Sequence, residues 1–233
     1  MERIEKILSD SGLGSRKEIK KYISSGRIKV NGAVCSDGAQ KIDRDTAAVL
    51  FDGSSVNTSR YRYFVLNKPA GVITATEDKN RETVLDLLSD ADRRLGLFPV
   101  GRLDRDTTGM LLLTNDGDFA HRVISPACHV NKCYLARTEG TPDGSAIDAF
   151  AEGLVLADGT ECQNALLETL GEGLCRVTIH EGKYHQVKRM LAAVGCPVLE
   201  LRRLSVGSLA LPKELEEGSY RELTPEELKK VFN

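Results

Sequence analysis

The chain has 233 residues, of which 41% are hydrophobic and 28% charged, and its formal net charge is −2. This composition excludes a disordered chain and is typical of a globular protein with one sizeable domain and room for a smaller one. No apolar stretch is long enough for a membrane span and MERIEKILSD does not resemble a signal peptide, so we expect a cytoplasmic protein. The near-neutral charge argues against a general basic coat but is compatible with a local basic patch.

The six cysteines show no C-x-x-C spacing and lie in ordinary apolar segments, which favours free thiols in a reducing compartment. The four histidines are not spaced relative to these cysteines as the ligands of a shared metal ion would be. We therefore predict neither disulfides nor a metal site. The cysteines concerned are Cys35, Cys128, Cys133, Cys162, Cys175 and Cys196.

The N-terminal segment predicts two helices followed by a hairpin. Ile4, Ile7 and Leu8 form one helical face that ends near Gly12. In the next helix, Ser15 is the predicted N-cap of a capping box, and the helix runs to about Ser25 with Gly26 as its left-handed end. Alternating residues then lead into the Asn31-Gly32 turn, which is typical of a hairpin.

Positive charge is concentrated in this segment. Residues 1–44 carry ten Lys or Arg against six acids, so the segment sums to +4 and the remaining residues to −6. A solvated helix face would explain such a run, but unpaired like charges also favour a phosphate backbone as partner. The predicted RNA-binding residues are Arg16, Lys17, Lys20, Lys21, Arg27 and Lys29.

Residues 52–60, DGSSVNTSR, read as a polar linker, and strands outnumber helices after it. We place the domain boundary at residue 58, with a first domain at 1–58 and a second at 59–233. For the second domain we predict an α+β fold with a large mixed or antiparallel sheet flanked by helices. The predicted strands lie in 61–72, 110–113, 174–180 and 198–204, and the predicted helices are one at 118–124 capped by Asp118, one at 181–195 and one that begins at Thr224.

Charged residues directly precede the buried strand Met110–Leu113, in GRLDRDTTG. Asp104 could be a solvated turn carboxylate, or it could lie where water is excluded and act chemically. Asp104 and Asp106 could also form the carboxylate pair of a glycosidase, although a single D-x-D is a weak signal. The alternatives remain open on this stretch alone.

The predicted helix in EGKYHQVKRMLAAVG carries a lysine that could form an ion pair with such a carboxylate. Helical spacing gives it an apolar face that includes Tyr184, Val187 and Leu191, with Lys188 at its edge. Lys188 could simply cover the core with its stem. Alternatively, it could hold a desolvated aspartate in its ionised form.

Two resemblances become visible once these motifs are taken together. Residues 3–44, centred on GLGSRKEIKKYISSGRIKVNG, resemble the small alpha-L RNA-binding domain of a ribosomal small-subunit protein and several RNA-modifying enzymes. Residues 61–232 resemble the RsuA-type ribosomal pseudouridine synthases. Four motifs in order carry this second resemblance: YFVLNKPAGV, GRLDRDTTGMLLLTNDGDFAHRVISP, NKCYLA and EGKYHQVKRMLAAVGCPVLELRR.

The resemblance implies an α+β enzyme in which an alpha-L RNA-binding domain precedes a pseudouridine synthase catalytic domain. It implies that Asp104 is the catalytic aspartate and that Arg102 pairs with it and holds the flipped nucleotide. Tyr134 matches the tyrosine that stacks on the uracil, and Lys188 matches the position that forms an ion pair with the aspartate. Isomerisation of uridine exchanges no electrons and imports no group, so we expect no cofactor.

By the same resemblance we expect a monomer that modifies one uridine of 16S rRNA, either in free RNA or in a small-subunit assembly intermediate. Tyr184 and His185 with Lys188 look like the small-subunit type. A large-subunit (23S) pseudouridine synthase is the first alternative, and an RNA-binding ribosome assembly factor with secondary catalysis is the second.

Overall fold

The computed structural model describes residues 1–233 and divides into two compact units. The N-terminal unit comprises Met1–Arg62 and Leu88–Leu97, and the C-terminal unit comprises Tyr63–Leu87 and Phe98–Asn233. The segment 88–97, which lies inside the predicted second domain, therefore groups with the N-terminal unit.

The N-terminal unit contains three helices and six short strands. Its helices are α1 (Ile4–Asp10), α2 (Arg16–Ser24) and α3 (Asp90–Arg93). Its strands are β1 (Glu2–Arg3), β2 (Ile28–Val30), β3 (Ala33–Val34), β4 (Lys41–Ile42), β5 (Val49–Phe51) and β6 (Ser54–Ser55). Strands β3-β2-β5-β6 form one antiparallel sheet, and β1 pairs with β4.

Local sequence explains the helices of this unit. The predicted capping box of α2 is confirmed, since the Ser15 side chain accepts from the Glu18 backbone N–H and the Glu18 side chain accepts from that of Ser15. Ile4, Ile7 and Leu8 are fully buried, as their spacing predicts. They form one apolar core with residues of α2 and the small sheet.

The C-terminal unit contains nine strands and four α-helices. Its strands are β7 (Tyr63–Lys68), β8 (Phe98–Pro99), β9 (Thr108–Thr114), β10 (Lys132–Thr138), β11 (Leu166–Gly171), β12 (Leu174–Ile179), β13 (Val198–Val206), β14 (Leu209–Ala210) and β15 (Tyr220–Glu222). Its helices are α4 (Gly117–Ile124), α5 (Gly144–Glu152), α6 (Gln186–Ala193) and α7 (Pro225–Lys230), with a 3₁₀ turn at Pro126–Cys128. No helix of the chain is both long and apolar enough to traverse a lipid bilayer.

These nine strands form one mixed sheet, which confirms the predicted architecture. Its main order is β11-β12-β10-β13-β9-β7-β15, with β14 beside β13 and β8 beside β9. Every pair is antiparallel except β13 with β9, which run parallel. Gly109 lies at this parallel pair with φ +97°, and a Cβ there would stand 2.3 Å from the Arg203 carbonyl oxygen. Only glycine permits this approach of the two strands.

Helix α4 packs on the sheet, and its N-cap differs from the predicted one. Phe119, Ala120 and Val123 of α4 join the core below β9. The predicted cap Asp118 is wrong: Asp116 caps the helix by accepting from the backbone N–H groups of residues 118 and 119. An Asn-Asp-Gly-Asp run offers two capping carboxylates, and the turn after β9 decides between them.

Candidate active site

The loop before β9 presents Asp104 in a tight turn. The Thr107 backbone N–H donates to the Asp104 carbonyl oxygen at 3.1 Å, which closes the turn. The preceding residue, Leu103, is fixed by the Thr74 hydroxyl, which donates to its carbonyl oxygen at 2.8 Å. The side chain of Asp104 is 28% exposed. The carboxylate is thus held on an ordered turn at the edge of the sheet.

Lys68 fixes the same turn from beneath, a role that the sequence analysis missed. Its side chain is fully buried at the end of β7, and its ammonium donates to the carbonyl oxygens of Pro69, Arg105 and Thr107 at 3.0, 3.3 and 3.0 Å. Burial lowers the pKa of Lys68 to about 8, although the negative charges of nearby carboxylates act to raise it. In the sequence, Lys68 indicated only the end of a strand, because two of its three carbonyl partners lie almost forty residues away.

Two basic side chains approach Asp104 from the start of α6. Lys188 Nζ lies 3.2 Å from Asp104 Oδ2 and 2.5 Å from Asp106 Oδ1, and His185 Nε2 lies 3.4 Å from Asp104 Oδ1. Burial lowers the pKa of Lys188, but the hydrogen bond to Asp106 and the charge of Asp104 outweigh it, so that its pKa is raised. The same hydrogen bond lowers the pKa of Asp106. The arrangement keeps a cation in contact with the Asp104 carboxylate.

The four residues assigned to catalysis in the sequence line one cavity of about 70 Å³: Asp104, Arg102, Tyr134 and Lys188. Apolar walls come from Leu103, Val187 and Leu201. A second, larger cleft of about 520 Å³ shares Asp104 and Arg102 with it. An anionic carboxylate beside an aromatic ring in a partly apolar cavity can attack or stabilise an electron-poor carbon.

Arg102 does not pair with Asp104 as the resemblance implies. It is exposed and forms no ion pair, since Lys188 and His185 occupy the two oxygens of Asp104. Its guanidinium group, two residues before Asp104 in the chain, is therefore available at the mouth of the cavity.

Tyr134 is held by an arginine that the sequence analysis did not single out. Tyr134 is buried on β10 and stands in register with Arg203 of β13. Arg203 is also buried; its Nη1 lies 3.4 Å from the tyrosine hydroxyl oxygen and its Nε donates to the Met110 carbonyl oxygen at 2.7 Å. The alternation of Leu201 and Arg203 along β13 was the signal available, since it places both on one face.

Helix α6 begins later than the sequence predicts. The helix starts at Gln186, and His185 before it has a left-handed backbone with φ 48°. Tyr184 is consequently not part of the apolar helix face, and 76% of it is exposed. Its ring stacks on that of His185, with centroids 3.8 Å apart. Glycine at 182 and the strained His185 interrupt the helical period that the sequence pattern suggested.

The predicted RNA-binding residues lie on the surface of the N-terminal unit. Those of α2 are exposed and form no ion pairs, and Lys29 is exposed on β2. Arg27 differs from the expectation of cations without acidic partners, because it forms an ion pair with Asp52 and packs over the rings of Tyr22 and Phe51. The exposed α2 residues are Arg16, Lys17, Lys20 and Lys21.

The structure contains no group of three or more His, Cys, Asp or Glu side chains that could hold a metal ion. All six cysteines are free thiols, as the sequence predicts.

Comparison with known proteins identifies the family of each part of the chain. Residues 62–193 match the family model for RNA pseudouridylate synthases, and residues 2–46 match that for the S4 domain. The chain belongs to the RNA pseudouridine synthases. Its second part is thus a pseudouridine synthase domain, and its first is an RNA-binding domain of the S4 type.

Its relatives carry names for both ribosomal subunits. The chain is 43% identical over 230 residues to an uncharacterized RNA pseudouridine synthase of Bacillus subtilis, with 97% of this chain and 96% of the relative covered. It is 40% identical to the ribosomal small subunit pseudouridine synthase A of Yersinia pestis (98% and 97% covered). It is also 37% identical to the ribosomal large subunit pseudouridine synthase B of B. subtilis (99% and 96% covered).

One solved structure shares the fold over the whole length. A crystal structure of a pseudouridylate synthase aligns with a TM-score of 0.70 at 34% identity and covers 99% of this chain and 100% of that one. The predicted fold class is therefore confirmed.

Proposed function

We propose that this chain isomerises one uridine of 16S ribosomal RNA to pseudouridine, with Asp104 as the catalytic carboxylate. The observation that carries the proposal is the contact of Asp104 with Lys188 in a cavity that also contains Tyr134. The reaction breaks the bond from ribose C1′ to uracil N1 and forms a bond from C1′ to C5. No electron is transferred: the C5 hydrogen leaves to solvent as a proton, and N1 gains a proton in its place.

Each residue at the cavity has a defined part in this proposal. The base must leave its stack to reach Asp104, at a cost of a few kcal/mol. Asp104 then acts as the anionic group that attacks or assists at the sugar or the ring, and Lys188 contacts it and balances its charge. Tyr134 offers its ring to the uracil, and Arg203 orients the tyrosine. Arg102, free of ion pairs at the cavity mouth, holds the RNA phosphate of the flipped nucleotide.

The N-terminal unit supplies affinity for the RNA. Its α2 cations are exposed and have no acidic partners, which suits contact with a phosphate backbone. The substrate is a ribosomal RNA, because the named relatives act on ribosomal subunits. Tyr184 and His185 beside Lys188 favour the small subunit. The relative named for the large subunit keeps 23S rRNA as the second candidate.

Tritium release from uridine labelled at C5 tests this proposal. Transcripts of 16S and 23S rRNA and small-subunit assembly particles serve as substrates, with Asp104→Asn as the inactive control. We expect release from a 16S substrate by the wild type alone. Release from 23S rRNA only would support pseudouridine formation but contradict 16S rRNA as the substrate. No release from any substrate would contradict the proposed activity.

A further inference from the structure

An exposed aromatic stack stands at the rim of the active-site cleft. Tyr184 is 76% exposed, and its ring lies nearly parallel to that of His185, at an interplanar angle of 19°. His185 in turn contacts Asp104 through Nε2. The stack therefore leads from solvent directly to the proposed catalytic carboxylate.

An exposed tyrosine in this place is not explained by packing. The left-handed backbone of His185 separates Tyr184 from α6, so its ring covers none of the helix's apolar face. Tyr184 makes no side-chain hydrogen bond, and only its backbone carbonyl accepts one, from Arg189. The ring therefore adds little to the core, and its place on the lining of the cleft that contains Asp104 points to a binding role.

The cleft beside the stack is lined by cations. Arg81, Arg102, Arg105 and Lys183 border it, and Asp104 is its only acidic lining residue. Arg102 and Arg105 form no ion pair, so two guanidinium groups face the cleft without a carboxylate partner. Positive charge that follows a groove with an aromatic platform is the pattern by which proteins bind single-stranded nucleic acid.

We propose that Tyr184 stacks on the nucleobase directly adjacent to the target uridine, while the cleft cations bind the phosphates on either side. This inference rests on the proposed RNA substrate and goes beyond it, because it names the surface that receives the flanking nucleotide. Stacking on a ring is tolerant of base identity, so Tyr184 holds the strand open beside the flipped uridine rather than reading a sequence.

Substitutions at Tyr184 separate stacking from other roles. Tyr184→Ala should raise KM by about 5- to 100-fold and change kcat much less, because Asp104 and Lys188 remain in place. Tyr184→Phe keeps the ring and should behave as the wild type. Tyr61→Ala removes another exposed tyrosine, one that does not line the cleft, and serves as the control. Equal loss in Tyr184→Phe and Tyr184→Ala would overturn stacking in favour of the hydroxyl.

An abasic substrate provides the decisive comparison. In the rRNA fragment on which the wild type releases tritium, the nucleotide on the 5′ or 3′ side of the target uridine is replaced by an abasic one. We expect one of these replacements to raise the wild-type KM as much as Tyr184→Ala does, and to have no further effect on that variant. Additive losses, or a Tyr184→Ala enzyme that equals the wild type, would overturn the inference. Absence of wild-type release would instead contradict the proposed function, so the two failures are distinguishable.

Discussion

The two units use the same kind of residue in opposite ways. On α2 of the N-terminal unit, lysines and an arginine point into solvent with no acidic partner. In the C-terminal unit, Lys68 is fully buried among backbone carbonyls and Lys188 is clamped between two aspartates. Exposed cations attract a phosphate backbone over a Debye length, whereas enclosed cations act on one group at contact distance. Charge alone therefore does not indicate what a lysine does; its partners do.

Among substitutions that test this difference between the units, the largest effect should come from Lys188. Lys188→Gln removes the cation beside Asp104 and should lower kcat by about 10²- to 10³-fold, because the carboxylate loses the charged group that contacts and orients it. The salt dependence of RNA binding should stay unchanged. Lys188→Arg keeps a cation and is the matched control. A kcat near the wild-type value for Lys188→Gln would refute the role of the pair.

One glycine from each unit should differ in how much its substitution lowers the free energy of unfolding. Gly109→Ala places a Cβ against the Arg203 backbone at a positive φ, and we expect a loss of about 3 kcal/mol or more in the free energy of unfolding. Gly32 also has a positive φ, but nothing lies within 4 Å of its Cβ position. Gly32→Asn should cost less than about 1 kcal/mol, because asparagine tolerates this conformation. Urea unfolding measures both, and equal losses would contradict the close approach of β9 and β13.

Removing an exposed cation should affect binding but not chemistry. Lys20→Gln should raise the Kd for rRNA and reduce the slope of log Kd against log salt by about one, with kcat at saturating RNA unchanged. Lys229→Gln on α7 removes an exposed lysine from the other unit and is the control. A salt slope that does not change in Lys20→Gln would show that α2 is not the RNA contact.

The smallest effect concerns the glutamates of two capping boxes, Glu18 in α2 and Glu227 in α7. In α7 the Glu227 side chain accepts from the Thr224 backbone N–H, and the Thr224 hydroxyl accepts from the Glu227 backbone N–H. Hydrogen bonds from Arg221 lower the pKa of Glu227 to about 2 from 4.5, so this glutamate stabilises the folded state above pH 4.5 and the contribution is lost as pH falls towards 2. Glu227→Gln should therefore flatten the pH dependence of the unfolding free energy in that interval, by at most about 1.4 kcal/mol per pH unit. Glu18 of α2, which is half-buried, has no arginine in hydrogen-bond contact, and Glu18→Gln should change the slope less. Equal slopes for the two variants would contradict the role of Arg221.

The sequence predicted best what depends on neighbours in the chain. The Ser15 capping box, the buried strand at Met110–Leu113 and the mixed sheet all follow from local patterns, and the structure agrees with them. The start of α6 could not be predicted, because helical spacing continues through Tyr184 while the left-handed backbone of His185 interrupts it.

Contacts between residues that are distant in the chain also could not be predicted from the sequence. Lys68 reaches carbonyls of the Asp104 loop, and Arg203 reaches Tyr134 across a strand pair. Arg27 likewise finds Asp52 only when the small sheet forms, since β2 and β5 bring them together. In each case the residue type is visible in the sequence, but its partner depends on strand register.

Asp104 and Asp106 allow the most direct test of the account, because both carboxylates contact Lys188 while only Asp104 lines the cavity with Tyr134. Single-turnover tritium release would be measured for Asp104→Asn and Asp106→Asn at saturating rRNA. We predict that Asp104→Asn loses activity by about 10⁴-fold or more while it still binds RNA, and that Asp106→Asn keeps at least about a tenth of the wild-type rate. Comparable activity of the two variants, or a larger loss in Asp106→Asn, would contradict the assignment of Asp104.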